Sequence, residues 1–258
     1  MSTEESNTPA KKPSKPFWEL VKVYGKLTLR EPTGVIFGVL LPAFLLFIFS
    51  NIPSFNQPLP GSTLTLAQVY IPTLIVTVLI MIGLLNIPIP IARDREIGWL
   101  RRVSTTPVSP TKLLAAQLTI NIILAALGFT ILGVGSVLIL GVKATIDIPG
   151  FILSLLLAIA VMFSLGMVIA SLAPTQGTAV GMTQGLLYPL LFFAGVYVPV
   201  QMLPGYLQTI SSFTPVGAAV NALNSSIQGT FPSLTSLLVM AVYTVFFGFI
   251  SIRYFKWD

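Results

Sequence analysis

The 258-residue chain contains no cysteine and no histidine. Those absences exclude disulfides, thiolate and imidazole metal sites, and catalysis by Cys/His or Ser/His pairs. Charge is scarce as well: 9% of residues are charged and 54% are apolar, whereas about a quarter of a soluble globule is charged. The acids are Glu4, Glu5, Glu19, Glu31, Asp94, Glu96, Asp147 and Asp258, each at a terminus or beside a polar or basic break. None sits inside an apolar run. No Gly-x-x-x-x-Gly-Lys-Ser/Thr occurs, so the chain cannot cradle a nucleotide in the P-loop manner. What is present is a series of long uncharged apolar runs, the mark of a protein that crosses a membrane several times.

The uncharged stretch from Pro32 to Ala92 is too long for one helix and divides at the Pro/Gly/Ser/Asn-rich segment from Asn51 to Ser62. It predicts spans over about Thr33 to Phe49 and Leu66 to Ile91, with Pro88 and Pro90 kinking or fraying the second near its end. A third run, Leu113 to Val142, would be about 45 Å long as a straight helix, so it must tilt or protrude from a hydrocarbon core of roughly 30 Å. After Lys143 and Asp147 no charge returns until Arg253, which leaves room for Pro149 to Leu172, Gly177 to Val198 and Ser233 to Ile252. The segment from about 199 to 232 is too broken by Pro199, Pro204, Pro215 and Gly229 to cross, yet too apolar for a solvated loop. Short external helices, interfacial or re-entrant, are expected there. The fold class is therefore all-α: a polytopic membrane protein with six transmembrane helices.

Basic residues set the orientation. With both termini cytoplasmic, Lys11, Lys12, Lys15, Lys22, Lys26, Arg30, Arg93, Arg95, Arg101, Arg102, Lys112, Arg253 and Lys256 all lie inside, and only Lys143 outside. Residues 1–16 are polar, carry Pro9, Pro13 and Pro16, and read as a disordered cytoplasmic tail. Over 17–31, Phe17, Leu20, Val21, Tyr24 and Leu27 recur at helical spacing opposite Glu19, Lys22, Lys26 and Arg30. This predicts an amphipathic helix on the membrane surface, or alternatively a plain cationic anchor before the first span.

The stretch that follows the second span concentrates charge: Arg93, Asp94, Arg95, Glu96, Arg101, Arg102 and Lys112. As a short helix from about Asp94 to Val103 it places Ile97, Leu100 and Val103 on one face, with Arg95, Trp99 and Arg102 around them. A rod of this kind can dock in a groove of another protein, and its charges can equally serve only to fix topology.

Three features together resemble the membrane subunit of a type-2 ABC exporter, the permease class without a fused ATPase. They are Arg30-Glu31-Pro32 before the first span, the segment from Arg93 to Pro110, and Gly195-Val196-Tyr197-Val198-Pro199 to Pro204 before the last. The resemblance covers about Phe17 to Tyr254. It implies a connecting helix over 17–31 and a coupling helix at about 93–106 that inserts into a partner ATPase. Short external helices at about 199–232 would complete a six-span domain over 32–258. By this resemblance Arg93, Asp94, Arg95, Glu96, Trp99, Leu100, Arg101 and Arg102 couple the chain to the ATPase. It further implies no cofactor on this chain, ATP and Mg on the partner ATPase, a second permease copy or similar permease, and contact with membrane lipids but not nucleic acid.

Two further sets of residues stand out. Gly177, Gly181 and Gly185, spaced by four, form a small-residue stripe suited to close helix packing, within one subunit or at a dimer seam. Gln184, Tyr188, Phe192, Phe193 and Tyr197 are candidates for a substrate path, although aromatics near an interface also serve as belt residues. The other polar groups within spans are Asn86, Gln117, Asn121 and Ser164, and no ionisable group lies at the midplane, which disfavours an ion-coupled carrier. The expected function is export of an apolar or amphipathic compound, such as a drug, antibiotic or lipid. Export of a polysaccharide or lipid-linked glycan is the alternative within the class. An ATP-independent transporter or channel, and an intramembrane enzyme or scaffold, are the readings from other classes.

Overall fold

A computed structural model describes residues 16–30, 33–58, 65–99, 110–141 and 146–255. The expected N-terminal tail, and Leu100, Arg101 and Arg102 of the charged stretch, lie outside them. Regular structure among the described residues is helical, with one isolated bridge between Pro58 and Thr65. Helix α1 is Pro16–Arg30, α2 is Ile36–Asn51 and α3 is Leu66–Glu96. They are followed by α4 (Pro110–Leu140), α5 (Ile148–Leu172) and α6 (Gln176–Phe193). The short α7 (Gly205–Phe213) and α8 (Pro215–Ile227) precede α9 (Leu234–Tyr254). Helix starts follow local chemistry: side chains of Thr65, Asp147, Thr175, Thr214 and Ser233 cap α3, α5, α6, α8 and α9 by accepting a first-turn amide.

Four helices, α3, α4, α5 and α9, are long and apolar enough to cross a membrane; α2 is a shorter apolar helix, and α6 spans 18 residues. Helix α3 is the axis of the bundle. Of its most apolar stretch 78% is buried inside the chain, against 17% for α9, whose apolar side chains Val242, Val245, Phe249 and Ile252 face outward. Around α3 pack α2 and α4 on one side and α5, α6 and α8 on the other, while α1 lies along α4 and α9 along α5. Helix α8, 13 residues and so about 20 Å long, cannot cross alone. It is buried among α5, α9 and α3, with Val216, Ala218, Ala219, Ala222 and Leu223 inaccessible, and so belongs to the bundle interior. Helix α7 exposes Tyr206, Ile210 and Phe213.

The expected ends of the second and fifth spans differ from those found. Helix α3 continues through Pro88 and Pro90 to Glu96, having first widened into a π-helical turn over Ile82–Asn86. In a helix, Pro88 and Pro90 leave the carbonyls four residues back, on Leu84 and Asn86, without an amide donor. Side chains from two neighbours supply one. Thr183 Oγ1 of α6 donates to Leu84 O at 3.0 Å, and Gln117 Nε2 of α4 donates to Asn86 O at 3.2 Å. The prolines are therefore stapled into the bundle instead of breaking it. Helix α6 stops at Phe193, short of Val198, because Gly195 turns the chain with φ 82°. Its last carbonyls are likewise met by hydroxyls, Phe193 O by Ser211 at 2.7 Å and Ala194 O by Thr73 at 3.1 Å.

At the π turn α3 meets α5 backbone to backbone. A Cβ on Gly83 would lie 2.8 Å from Met162 O, and one on Gly166 would collide with Gly83 O. Alanine ordinarily favours a helix over glycine by about 1 kcal/mol. Gly166→Ala is nevertheless expected to destabilise, by about 1–3 kcal/mol, because the colliding atom is main chain. Gly248→Ala, where a Cβ meets nothing within 4 Å, is expected to be neutral or mildly stabilising. Melting temperatures of the two purified variants test the contrast; a Gly166→Ala protein as stable as the parent would refute the close approach.

Candidate functional site

The charged end of α3 is where the bundle is tied together. Successive residues of a helix project about 100° apart, so Asp94, Arg95 and Glu96 address three different neighbours. Arg95 reaches the end of α5, donating through Nη1 to Ala170 O at 2.8 Å and Ala173 O at 2.7 Å. The cation thus satisfies carbonyls at a helix C-terminus, the end that carries negative partial charge. Its Cζ lies 5.4 Å from the ring centroid of Phe255, just beyond α9. Glu96 does the converse. Its Oε2 accepts from the amide of Gln176 at 2.8 Å, at the N-terminus of α6, where an anion is favoured.

Two adjacent residues of opposite sign therefore grip the two sides of the turn Ala173-Pro174-Thr175 that joins α5 to α6. Asp94 faces α1: together with burial, its carboxylate raises the pKa of Tyr24, so the phenol stays protonated. Arg93 Nε lies 4.0 Å from Asp94 Oδ1. Trp99 is half-buried and packs on the main core.

The expected rod from Asp94 to Val103 is not a single helix. Arg93–Glu96 form the last turn of α3, and the chain then turns at Gly98 with φ 69°, a left-handed conformation that glycine adopts without steric penalty. Among the described residues the four charges are fixed to the span itself, and the break follows them.

Gly177, Gly181 and Gly185 are not packed against another helix of this chain. A Cβ on any of the three would meet nothing within 4 Å. Helix α6 buries Ala179, Thr183, Leu187 and Leu191, another series spaced by four and offset by two positions, which places it about 200° around the helix. The glycine edge faces away from the chain. Gln184 and Tyr188 share that exposed side, Tyr188 being 60% accessible. Phe192 and Phe193 are half-buried and meet edge to face at 5.4 Å, and Tyr197 is exposed beyond the helix end. The aromatic candidates are thus divided between the exposed side of α6 and its C-terminus.

Sequence reasoning missed Thr183 and the partners of Arg95 and Glu96. A proline within a span signals an unmet carbonyl four residues earlier, and polar residues on other spans are the candidates to meet it. That signal finds Gln117 and Thr183. Nothing in the order of residues points Arg95 at Ala170 and Ala173.

Removing the cation should loosen α5 and α9 together. Arg95→Met, which keeps most of the apolar stem, is expected to cost about 1.5–3 kcal/mol, the range for hydrogen bonds to charged groups. Arg95→Lys should recover part of this, because an ammonium is a point donor without the planar fork. Thermal unfolding in detergent reads both; no change in Arg95→Met would remove the clamp from the account.

Comparison with known proteins agrees with this architecture. The profile of the ABC-2 type transporter family matches residues 16–228. The chain is 28% identical over 205 residues to the daunorubicin resistance ABC transporter permease protein DrrB1 of Streptomyces coeruleorubidus, covering 77% of this chain and 70% of that one. It is 27% identical over 199 residues to the putative transport permease ycf38 of Cyanophora paradoxa, covering 72% and 65%. Identity to the putative transport permease YvfS of Bacillus subtilis is 20% over 227 residues, covering 88% and 91%. With the match extending from α1 to the end of α8 across the charged end of α3, the chain belongs to the ABC-2 type transporter family and is a multi-pass membrane protein of the transport-permease kind.

Proposed function

We propose that the chain is the permease subunit of an ATP-driven exporter, with helices α2, α3, α4, α5, α6 and α9 as its six spans and both termini in the cytoplasm. The observation that carries the proposal is the Arg95–Glu96 clamp. A segment displaced by a partner would move the last turn of α3, and the clamp would carry the α5–α6 turn with it as one body. The charged residues at this end, with those of α1, agree with a cytoplasmic face. Helix α1, exposing Trp18, Val23, Leu27 and Leu29 beside Lys22, Lys26 and Arg30, suits a position at the membrane surface.

ATP and Mg belong to a separate ATPase, since the chain has no P-loop. The glycine edge of α6, with Gln184 and Tyr188, would face a second permease copy across the translocation path. The cargo is an apolar or amphipathic compound. This choice is supported by the absence of ionisable groups from the interior of the spans and by the drug-resistance designation of the Streptomyces relative.

Affinity purification in mild detergent is expected to recover a stoichiometric protein bearing a P-loop. In reconstituted vesicles with that protein, Glu96→Ala should lower transport per ATP hydrolysed by about tenfold, with insertion unchanged. Glu96→Gln, which keeps an acceptor for the Gln176 amide, should recover part of the loss. Solute flux without ATP, from a chain that purifies alone, would overturn the exporter reading in favour of a carrier or channel.

A further inference from the structure

Between α1, α3 and α4, at the charged end of the bundle, lies a cavity of about 440 Å³, within the range of sites for small organic ligands. Its polar lining comes from helices that otherwise bury apolar side chains. Asn86 stands at the end of the π turn, while Gln117 and Asn121 are one turn apart on α4, and Asn121 is only 3% accessible. The Nδ2 donor of Asn86 is buried with no hydrogen-bond partner among the described residues. Tyr24 closes the side formed by α1, and Arg93 and Asp94 both line the wall, so a cation and an anion 4.0 Å apart compensate each other. Leu27 and Gln176 on the lining are exposed, which opens the cavity to the surface.

A second cavity of about 240 Å³ shares Tyr24, Leu27 and Asp94 with the first. The rest of its lining is apolar: Leu20, Val23, Ile97, Trp99 and Leu113. The two adjoin at these residues, making a trough under α1 that is polar at one end and apolar at the other.

We infer that this trough binds an amphipath with an uncharged, hydroxyl-rich head, the head among Asn86, Gln117 and Asn121 and the chain along Leu20, Val23 and Leu113. The carboxamides of Asn86 and Asn121 present a donor and an acceptor side by side, and Gln117, whose Nε2 is held by Asn86 O, adds an acceptor, a pattern that pairs with the hydroxyls of a sugar or polyol. The compensated Arg93–Asp94 wall gives no net attraction to a head of either sign. Of α6 only the first residue, Gln176, reaches the trough, and Gln184 and Tyr188 of the candidate path lie two and three turns farther along the helix and do not line it. That the occupant is cargo rests on the exporter reading; that the trough binds it does not.

The test uses Trp99 as reporter. The protein has three tryptophans, and Trp18→Phe with Trp257→Phe leaves the one that lines the apolar end. In lipid nanodiscs, octyl β-D-glucoside below its micellar concentration should shift Trp99 emission saturably over empty-disc blanks. Octyltrimethylammonium and octyl sulfate, with the same chain and charged heads, should bind at least about tenfold more weakly. Asn121→Leu should weaken glucoside binding by about tenfold or more, and Val23→Asp, at a position 52% exposed, should do so through the apolar end. Equal binding of the charged analogues, or unchanged binding in both variants, would overturn the site. ATP-driven efflux assayed on the same preparation separates the two readings. Efflux without glucoside binding refutes the trough alone, and glucoside binding without any ATP-driven transport refutes the exporter alone.

Discussion

In a hydrocarbon environment a backbone carbonyl has no water to turn to, and the bundle is organised around the two that Pro88 and Pro90 leave unmet. Leu84 O and Asn86 O sit at the centre of α3, the most enclosed helix, and are answered from opposite sides by Thr183 of α6 and Gln117 of α4. The π turn just before them brings Gly83 against Gly166 and lets α5 approach to main-chain contact. Three neighbours are thus positioned by one irregular stretch of about two turns. An uninterrupted α3 would offer the same apolar surface but no such addresses for its partners.

Beyond that stretch the logic changes from hydrogen bonding of neutral groups to charge against helix ends. Arg95 meets α5 where its carbonyls run out, and Glu96 meets α6 where its amides begin. Each interaction alone is modest for a partly exposed group. Their arrangement matters more than their strength, because opposite charges on consecutive residues can hold opposite helix termini only if those termini are joined by a short turn. Rigidity at this end follows from the covalent adjacency of both the pair and its targets.

Much of this is legible in the sequence. Composition and uncharged runs give an all-helical membrane protein, and α4, α5 and α9 lie within a few residues of their expected limits, while α3 runs on past Ile91 to Glu96. The charged stretch is marked by its own density of Arg, Asp and Glu. Its break is harder to see, because Arg93 to Val103 has helical periodicity throughout and only Gly98, one residue among eleven, departs from it. The glycine edge of α6 shows a second limit. Spacing marks the glycine series, yet the side of the helix that turns inward carries Thr183, which reaches Leu84 O, a contact ninety-nine residues back in the chain. The trough under α1 is less legible still, since its carboxamides come from separate helices and meet only through the course of the π turn.

The sequence separation of the clamp bears on how the protein is made. Arg95 lies 75 and 78 residues before the carbonyls it holds, and Glu96 lies 80 before its amide. During synthesis α3 is therefore complete while α5 and α6 are still unmade, and its terminal charges must wait in water or among lipid headgroups. Their place at the end of the helix makes that wait inexpensive. When the α5–α6 turn arrives, the waiting pair accepts it only in the register that puts a C-terminus on the cation and an N-terminus on the anion. Two of the four charges that mark one end of α3 are thus placed to favour one register of docking late in assembly.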